Sequence, residues 1–137
     1  MDVCTVTHSV EETEALGEQL ASELQGGTVL ALYGGMGMGK TALVRGIARG
    51  RGLSAEVSSP TFALVHDYGG TPPLVHFDMY RITGWEDLYS TGFFDYLEAG
   101  AMVVVEWSEN IESALPEDSI RLYFSAPDEH TRLIERK

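Results

Sequence analysis

Residues 34–41 read Gly-Gly-Met-Gly-Met-Gly-Lys-Thr, a full match to the G-x-x-x-x-G-K-[ST] pattern of a phosphate-binding loop. Such a loop dictates its surroundings. Glycines let the backbone wrap closely around a β-phosphate, so that successive N–H groups converge on the anion. A helix must follow, because its positive N-terminal end faces the same charge. The lysine brings a mobile cation to the β- and γ-phosphates, and the next hydroxyl is placed to ligate Mg2+. Gly37, Met38, Gly39, Lys40, Thr41 and Ala42 are therefore the candidate nucleotide-binding residues. Lys40 also has a candidate catalytic role, and Thr41 is a candidate metal ligand.

The flanks meet the same requirement. Thr28 to Tyr33 is an apolar, β-prone run that ends where the loop begins. Thr41 to Arg49 then places Leu43, Val44 and Ile47 at helical spacing. Strand, loop and helix stand in the order the motif needs, and a chance glycine turn with a surface lysine would not produce them. The chain is read as a binder of a nucleoside triphosphate.

A triphosphate site needs a second acid to help hold Mg2+ and a group to position attacking water. Two apolar strands end in acids: Met102 to Glu106, and Leu74 to Asp78. Period-two alternation on the second puts Val75, Phe77 and Met79 on one face and His76, Asp78 and Tyr80 on the other. His76 and Asp78 are thus candidates to line one polar cleft, although a satisfied structural histidine is the favoured reading of His76. Residue chemistry alone does not rank Asp78 against Glu106. A zinc site is disfavoured by a single cysteine and scattered histidines, and Trp107 is expected to pack rather than to stack on a base.

The remaining pattern implies one α/β domain over residues 1–137, in three layers around a mixed sheet. Val3 to Thr7 reads as an opening strand. Ser9 then caps a helix that carries Ala15, Leu16, Leu20 and Leu24 and stops at Gly26-Gly27. Phe62 to Tyr68 and Leu74 to Tyr80 are separated by only five residues. That gap is too short for a parallel crossover, so the pair must be an antiparallel hairpin. Short helices follow around Trp85 to Tyr89, Phe93 to Leu97 and Glu109 to Leu115. A last hairpin joins Ile120 to Phe124 with Arg132 to Glu135 across Pro127-Asp128.

Charge narrows the partners. The formal net charge is −12, and Lys40 and Lys137 are the only lysines. A protein that grips nucleic acid by itself needs Lys and Arg to neutralise phosphates, so the acidic surface is expected either to keep the protein soluble or to meet a basic protein surface. The N-terminus shows no signal peptide pattern, the one cysteine, Cys4, gives no intrachain disulfide, and no apolar run is long enough for a bilayer. A cytosolic protein is expected.

Several strings together resemble one family, the bacterial TsaE (YjeE) ATPases of tRNA threonylcarbamoyladenosine biosynthesis. Ser59-Pro60-Thr61-Phe62 resembles that family's SPT[FY] segment, and His76 to Arg81 its HFDLYR. Glu86-Asp87-Leu88 through Gly92 to Tyr96-Leu97 resembles EEL…G…[ED]YL, and Glu106 to Glu109 resembles EW[PS]E. The likeness spans nearly the whole chain in the same order. It departs at Gly35 and Met36, where the family usually has Asp-Leu, and at Met38, where Ala is common. The resemblance implies a three-layer P-loop nucleoside triphosphatase fold and a small ATPase with ATP and Mg2+ as cofactors. It further implies Mg2+ held by Thr41 and Glu106, and a catalytic or water-positioning role for Asp78. Ser9 and Arg132 are its adenine-side candidates. The implied partner is a TsaD–TsaB complex, with tRNA reached only through that complex.

Rival readings differ in product. A GTPase is disfavoured, because its Asn-Lys-x-Asp motif needs a lysine and none lies between Lys40 and Lys137. A small-molecule kinase would need cations such as Arg45, Arg49, Arg51 and Arg81 for a second substrate. A non-hydrolysing, ATP-gated binding module would use Asp78 and Glu106 only structurally.

Overall fold

The strand before the glycine loop, β2 (Val29–Tyr33), is buried along its whole length, as an unbroken apolar run requires when both faces of a sheet are covered. The computed structural model describes residues 3–35, 37–54, 57–58 and 64–137. Around β2 lie β1 (Cys4–Thr7), β3 (Val65–Asp67), β4 (Leu74–Asp78), β5 (Met102–Glu106), β6 (Ile120–Asp128) and β7 (Thr131–Arg136). Together they form one seven-stranded sheet in the order β1-β7-β6-β2-β5-β4-β3. Pairs β2·β5, β2·β6 and β4·β5 are parallel, and β1·β7, β6·β7 and β3·β4 are antiparallel. The sheet is mixed, as the short Tyr68 to Pro73 connection demanded.

Helices cover both faces. On one face α1 (Val10–Ala21) and α2 (Lys40–Gly50) bring Leu16, Leu20, Leu43, Val44 and Ile47 against Leu30, Leu32, Val104 and Leu122. On the other, α3 (Trp85–Ser90), α4 (Phe93–Glu98) and a 3₁₀ helix (Ser108–Ala114) bring Leu88, Phe93 and Ile111 against Val29, Ala31, Phe77, Val103 and Val105. Strand residues divide between the two cores by parity, the period of a pleated chain.

Helices α1 and α2 meet backbone to backbone. A Cβ on Gly46 would lie 2.0 Å from the Glu14 carbonyl oxygen, and one on Gly17 would lie 2.3 Å from that of Leu43. Across this seam Glu14 pairs with Arg45 at 2.8 Å and with Arg49 at 3.2 Å, and Glu18 pairs with Arg49 at 3.1 Å. Hydrogen bonding to Arg45 holds the Glu14 carboxyl below its ordinary range.

Several boundaries differ from the sequence reading. Helix α1 ends at Ala21, not at Gly26-Gly27, because Ser22 turns the chain and donates from its hydroxyl to the Gln19 carbonyl. Leu24 still reaches the core from the turn that follows. Strand β4 ends at Asp78 rather than Tyr80, because the Asp78 carboxylate accepts the Tyr80 N–H and turns the chain. Strand β6 runs on to Asp128 through a register shift between Ser125 and Asp128, which carries Pro127 in place of breaking at it. The helix expected from Glu109 to Leu115 is 3₁₀, kinked at Ile111. Met36, Phe62 and the Ser59-Pro60-Thr61-Phe62 segment lie outside the described residues. Among the described residues no helix is long and apolar enough to cross a membrane.

Candidate functional site

The loop between β2 and α2 has the backbone its glycines permit. Gly37 and Gly39 sit at φ 75° and 101°, in the left-handed region that L side chains rarely adopt. Helix α2 opens directly on Gly39 with no side-chain cap on its first turn, so its N-terminal amides are presented toward the loop for an anion. Lys40 is buried for a lysine, at 7% exposure. Its ammonium donates to the Gly34 carbonyl at 2.7 Å and lies 3.9 Å from Glu106 Oε1. An ammonium has three donors, so capacity remains for further oxygens.

Parallel pairing of β4 with β5 places the two acids side by side. Asp78 is the register partner of Glu106 at the C-terminal ends of these strands, and both are buried. The Met79 N–H donates to the Glu106 carbonyl and locks the exit of β4 onto β5. One Asp78 oxygen, Oδ1, accepts the Tyr80 N–H at 2.8 Å. One Glu106 oxygen, Oε2, lies 2.6 Å from His76 Nε2.

A cleft of about 770 Å³ runs past these groups, walled by Gly37, Gly39, Lys40, Thr41, Arg45, Asp78, Tyr80, Glu106 and Trp107. That volume suits a small-molecule site. The structure thus brings Lys40, Thr41, Asp78 and Glu106 to one cavity, although they come from three separated stretches of chain. Among the described residues no three His, Cys, Asp or Glu side chains gather as a metal cage. The oxygen donors here are one hydroxyl and two carboxylates. That set fits Mg2+, which binds through one or two protein oxygens together with a substrate's phosphates and water.

A side pocket of about 210 Å³ adjoins the cleft and shares Val10, Gly37, Gly39 and Ala42 with it. Ser9 and Arg132 both line it, with His8, Thr13, Glu129 and His130. Their polar atoms are partly committed to the backbone. Ser9 Oγ accepts the Glu12 N–H at 3.0 Å and caps α1. The Arg132 guanidinium donates to the carbonyls of Asp128, Glu129 and Thr131, and at 3.3 Å to that of Gly37 in the loop. His130 and Glu129 belong to the β6–β7 turn, which the Asp128 carboxylate organises by accepting from Thr131 and from the His130 N–H. Sequence reading passed over those two residues, because their place beside the loop follows from β7 pairing and not from any motif.

Three further placements refine the expectations. His76 shares the strand face of Asp78 as alternation required, yet it is wholly buried and does not wall the cleft. It lies deeper in the sheet, one pleat behind the acids. Trp107 packs its ring 4.8 Å from that of Tyr80, and both also wall the cleft. Arg45 and Arg49 are held by Glu14 and Glu18, and Arg51 donates to the Pro72 carbonyl. These three cations, needed by a kinase for its second substrate, are engaged in structural contacts.

Known proteins resemble this chain in sequence and fold. The sequence profile of the family described as threonylcarbamoyl adenosine biosynthesis protein TsaE matches residues 7–134. The tRNA threonylcarbamoyladenosine biosynthesis protein TsaE of Treponema pallidum is 35% identical over 117 residues, which cover 85% of this chain and 87% of the relative. The protein of the same name from Streptomyces coelicolor is 42% identical over 110 residues, covering 78% of this chain and 74% of the relative. The crystal structure of Bacillus subtilis YdiB superposes with a TM-score of 0.81 at 30% identity, covering 97% of this chain and 82% of that one. The fold is thus a P-loop-type α/β fold, and the chain belongs to the TsaE family of threonylcarbamoyl adenosine biosynthesis proteins.

Proposed function

We propose that this chain is the Mg2+-dependent ATP-binding and ATP-hydrolysing component of the tRNA threonylcarbamoyladenosine machinery, and that it acts with a TsaD–TsaB type complex. The observation that carries the reading is the common cleft, in which an uncapped helix start, Lys40, Thr41 and two register-paired acids converge.

Each residue has a physical task. The amides of the loop and of the first turn of α2 bind phosphate oxygens, and Lys40 balances the charge of the β- and γ-phosphates. Thr41 and Glu106 would hold Mg2+, which when bound neutralises charge on those phosphates. Asp78 orients the attacking water and is placed to take its proton, since Oδ1 is steadied by the Tyr80 N–H. The side pocket with Ser9 and Arg132 takes the adenosine end, and the Arg132 bond to Gly37 couples that pocket to the loop.

Arg45, which walls the cleft, is paired with Glu14, and Arg49 with Glu14 and Glu18, and this commitment of the two cations supports water as the acceptor over a metabolite. Calorimetric titration with ATP, with and without Mg2+, together with product analysis, tests the proposal. Metal-dependent binding and released phosphate are expected. A phosphorylated small molecule would establish a kinase, and binding without turnover, partners included, would establish a switch.

A further inference from the structure

Strand β4 is wholly buried, and besides the acid at its end it carries one polar residue in its interior. Leu74, Val75 and Phe77 are apolar, and between them His76 has no exposed surface. A buried imidazole is costly unless its nitrogens find partners. Nε2 lies 2.6 Å from Glu106 Oε2, and Nδ1 lies 3.3 Å from the Tyr68 hydroxyl. That hydroxyl donates to the Ser58 carbonyl oxygen at 3.1 Å and lies 3.2 Å from His66 Nδ1. A carboxylate can only accept, so Nε2 carries the proton of the bond to Glu106. The chain Tyr68, His76, Glu106 thus runs from the β3 edge of the sheet to the cleft.

Its consequence falls on Glu106. Oε2 is taken by His76, while Oε1 is the oxygen that faces Lys40 at 3.9 Å. A glutamate side chain is otherwise rich in rotamers, and beside an ammonium it would swing into a closer ion pair that competes with any cation in the cleft. Resting on the reading of Glu106 as a metal ligand, we propose that His76 is a positioning residue. It pins one carboxylate oxygen so that the other alone is presented to the Mg2+–nucleotide, and Tyr68 orients the ring in turn. Partners that orient ligating side chains in this way are worth about 10–100-fold in metal affinity.

ATP affinity measured with Mg2+ and with a chelator, beside thermal unfolding of the nucleotide-free protein, tests the assignment in wild type, His76→Leu, His76→Gln and Glu106→Ala. In His76→Leu the ratio of the two affinities should fall about tenfold or more while metal-free affinity stays near wild type. The glutamine amide can donate to the same oxygen, so His76→Gln should recover most of the ratio. A lower melting temperature in His76→Leu with an unchanged ratio makes the residue a core filler and overturns the proposal. If Glu106→Ala destroys the ratio and His76→Leu does not, positioning alone fails. If neither changes it, the metal-ligand reading of Glu106 fails and this proposal with it. Should His76→Leu not fold, Tyr68→Phe at the half-buried end of the chain must still lower the ratio, and an unchanged ratio there overturns the proposal.

Discussion

Asp78 and Glu106 stand opposite each other in the parallel β4–β5 register, and both wall one cleft. Adjacent strand ends therefore supply two acids with different surroundings: Asp78 is steadied by a backbone amide, and Glu106 by an imidazole with Lys40 nearby. Their substitutions should separate. Glu106→Ala should weaken Mg2+-dependent ATP binding. Asp78→Asn should bind nearly as wild type but hydrolyse about a hundredfold more slowly, because an amide cannot take a proton. Parallel calorimetry and phosphate-release assays check this, and normal hydrolysis by Asp78→Asn assigns the proton to another group.

Helix α2 is held by close contact with α1 at glycine. Gly46→Ala gains at most about 1 kcal/mol of helix propensity. Its new methyl would nevertheless lie 2.0 Å from the Glu14 carbonyl oxygen, where backbone has to move. A net loss of about 1–3 kcal/mol is expected, read from urea unfolding. A variant as stable as wild type would mean that α1 and α2 separate freely.

The ion pairs over the same seam give stability a pH dependence. The Glu14 carboxyl is held below its unfolded-state range chiefly by Arg45, with Arg49 adding to it. The unfolded chain then binds the proton first, so this contribution is complete above the ordinary carboxylate range and is lost as pH falls through the lowered folded value. The stability difference between wild type and Glu14→Gln should therefore be largest near neutral pH and shrink in acid. Unfolding curves across that window test it, and a difference independent of pH would remove the pair from the account.

Between Arg81 and Arg121 the chain has no lysine, arginine or histidine, but carries Glu86, Asp87, Asp95, Glu98 and Glu109. Exposed Trp85 and Tyr89 lie on the same stretch. If a TsaD–TsaB type complex binds an acidic surface, association should weaken as salt rises from low to high, because exposed charges are screened. ATP turnover should also rise on mixing. Sedimentation of the mixed proteins at several salt concentrations tests the first point. Salt-independent association would show that charge does not steer the contact.

Much of the site was legible because its chemistry is local. The loop, its strand and its helix are contiguous, and an apolar strand that ends in an acid is visible without knowing its neighbours. Pairing was less visible. That Asp78 and Glu106 share a register depends on β4 lying beside β5, a long-range choice that no short window encodes. The burial of His76 depends on the helices above it, so alternation gave its face but not its depth. Trp107 packs on Tyr80 as expected, and its place in the cleft wall follows from a left-handed turn at φ 60° that no glycine announces. Boundaries slipped where side chains capped the backbone, as at Ser22 and Asp78.

Phosphate release from Mg2+·ATP by wild type and Lys40→Ala, at saturating nucleotide and with the partner complex present, tests the central claim most directly. The ammonium of Lys40 lies between the loop carbonyl of Gly34 and Glu106, and in the proposed reaction it balances terminal phosphate charge. Its removal should slow release by about a hundredfold or more, while melting of the nucleotide-free protein changes little. Equal release by the two proteins would take the loop out of the reaction and contradict the account.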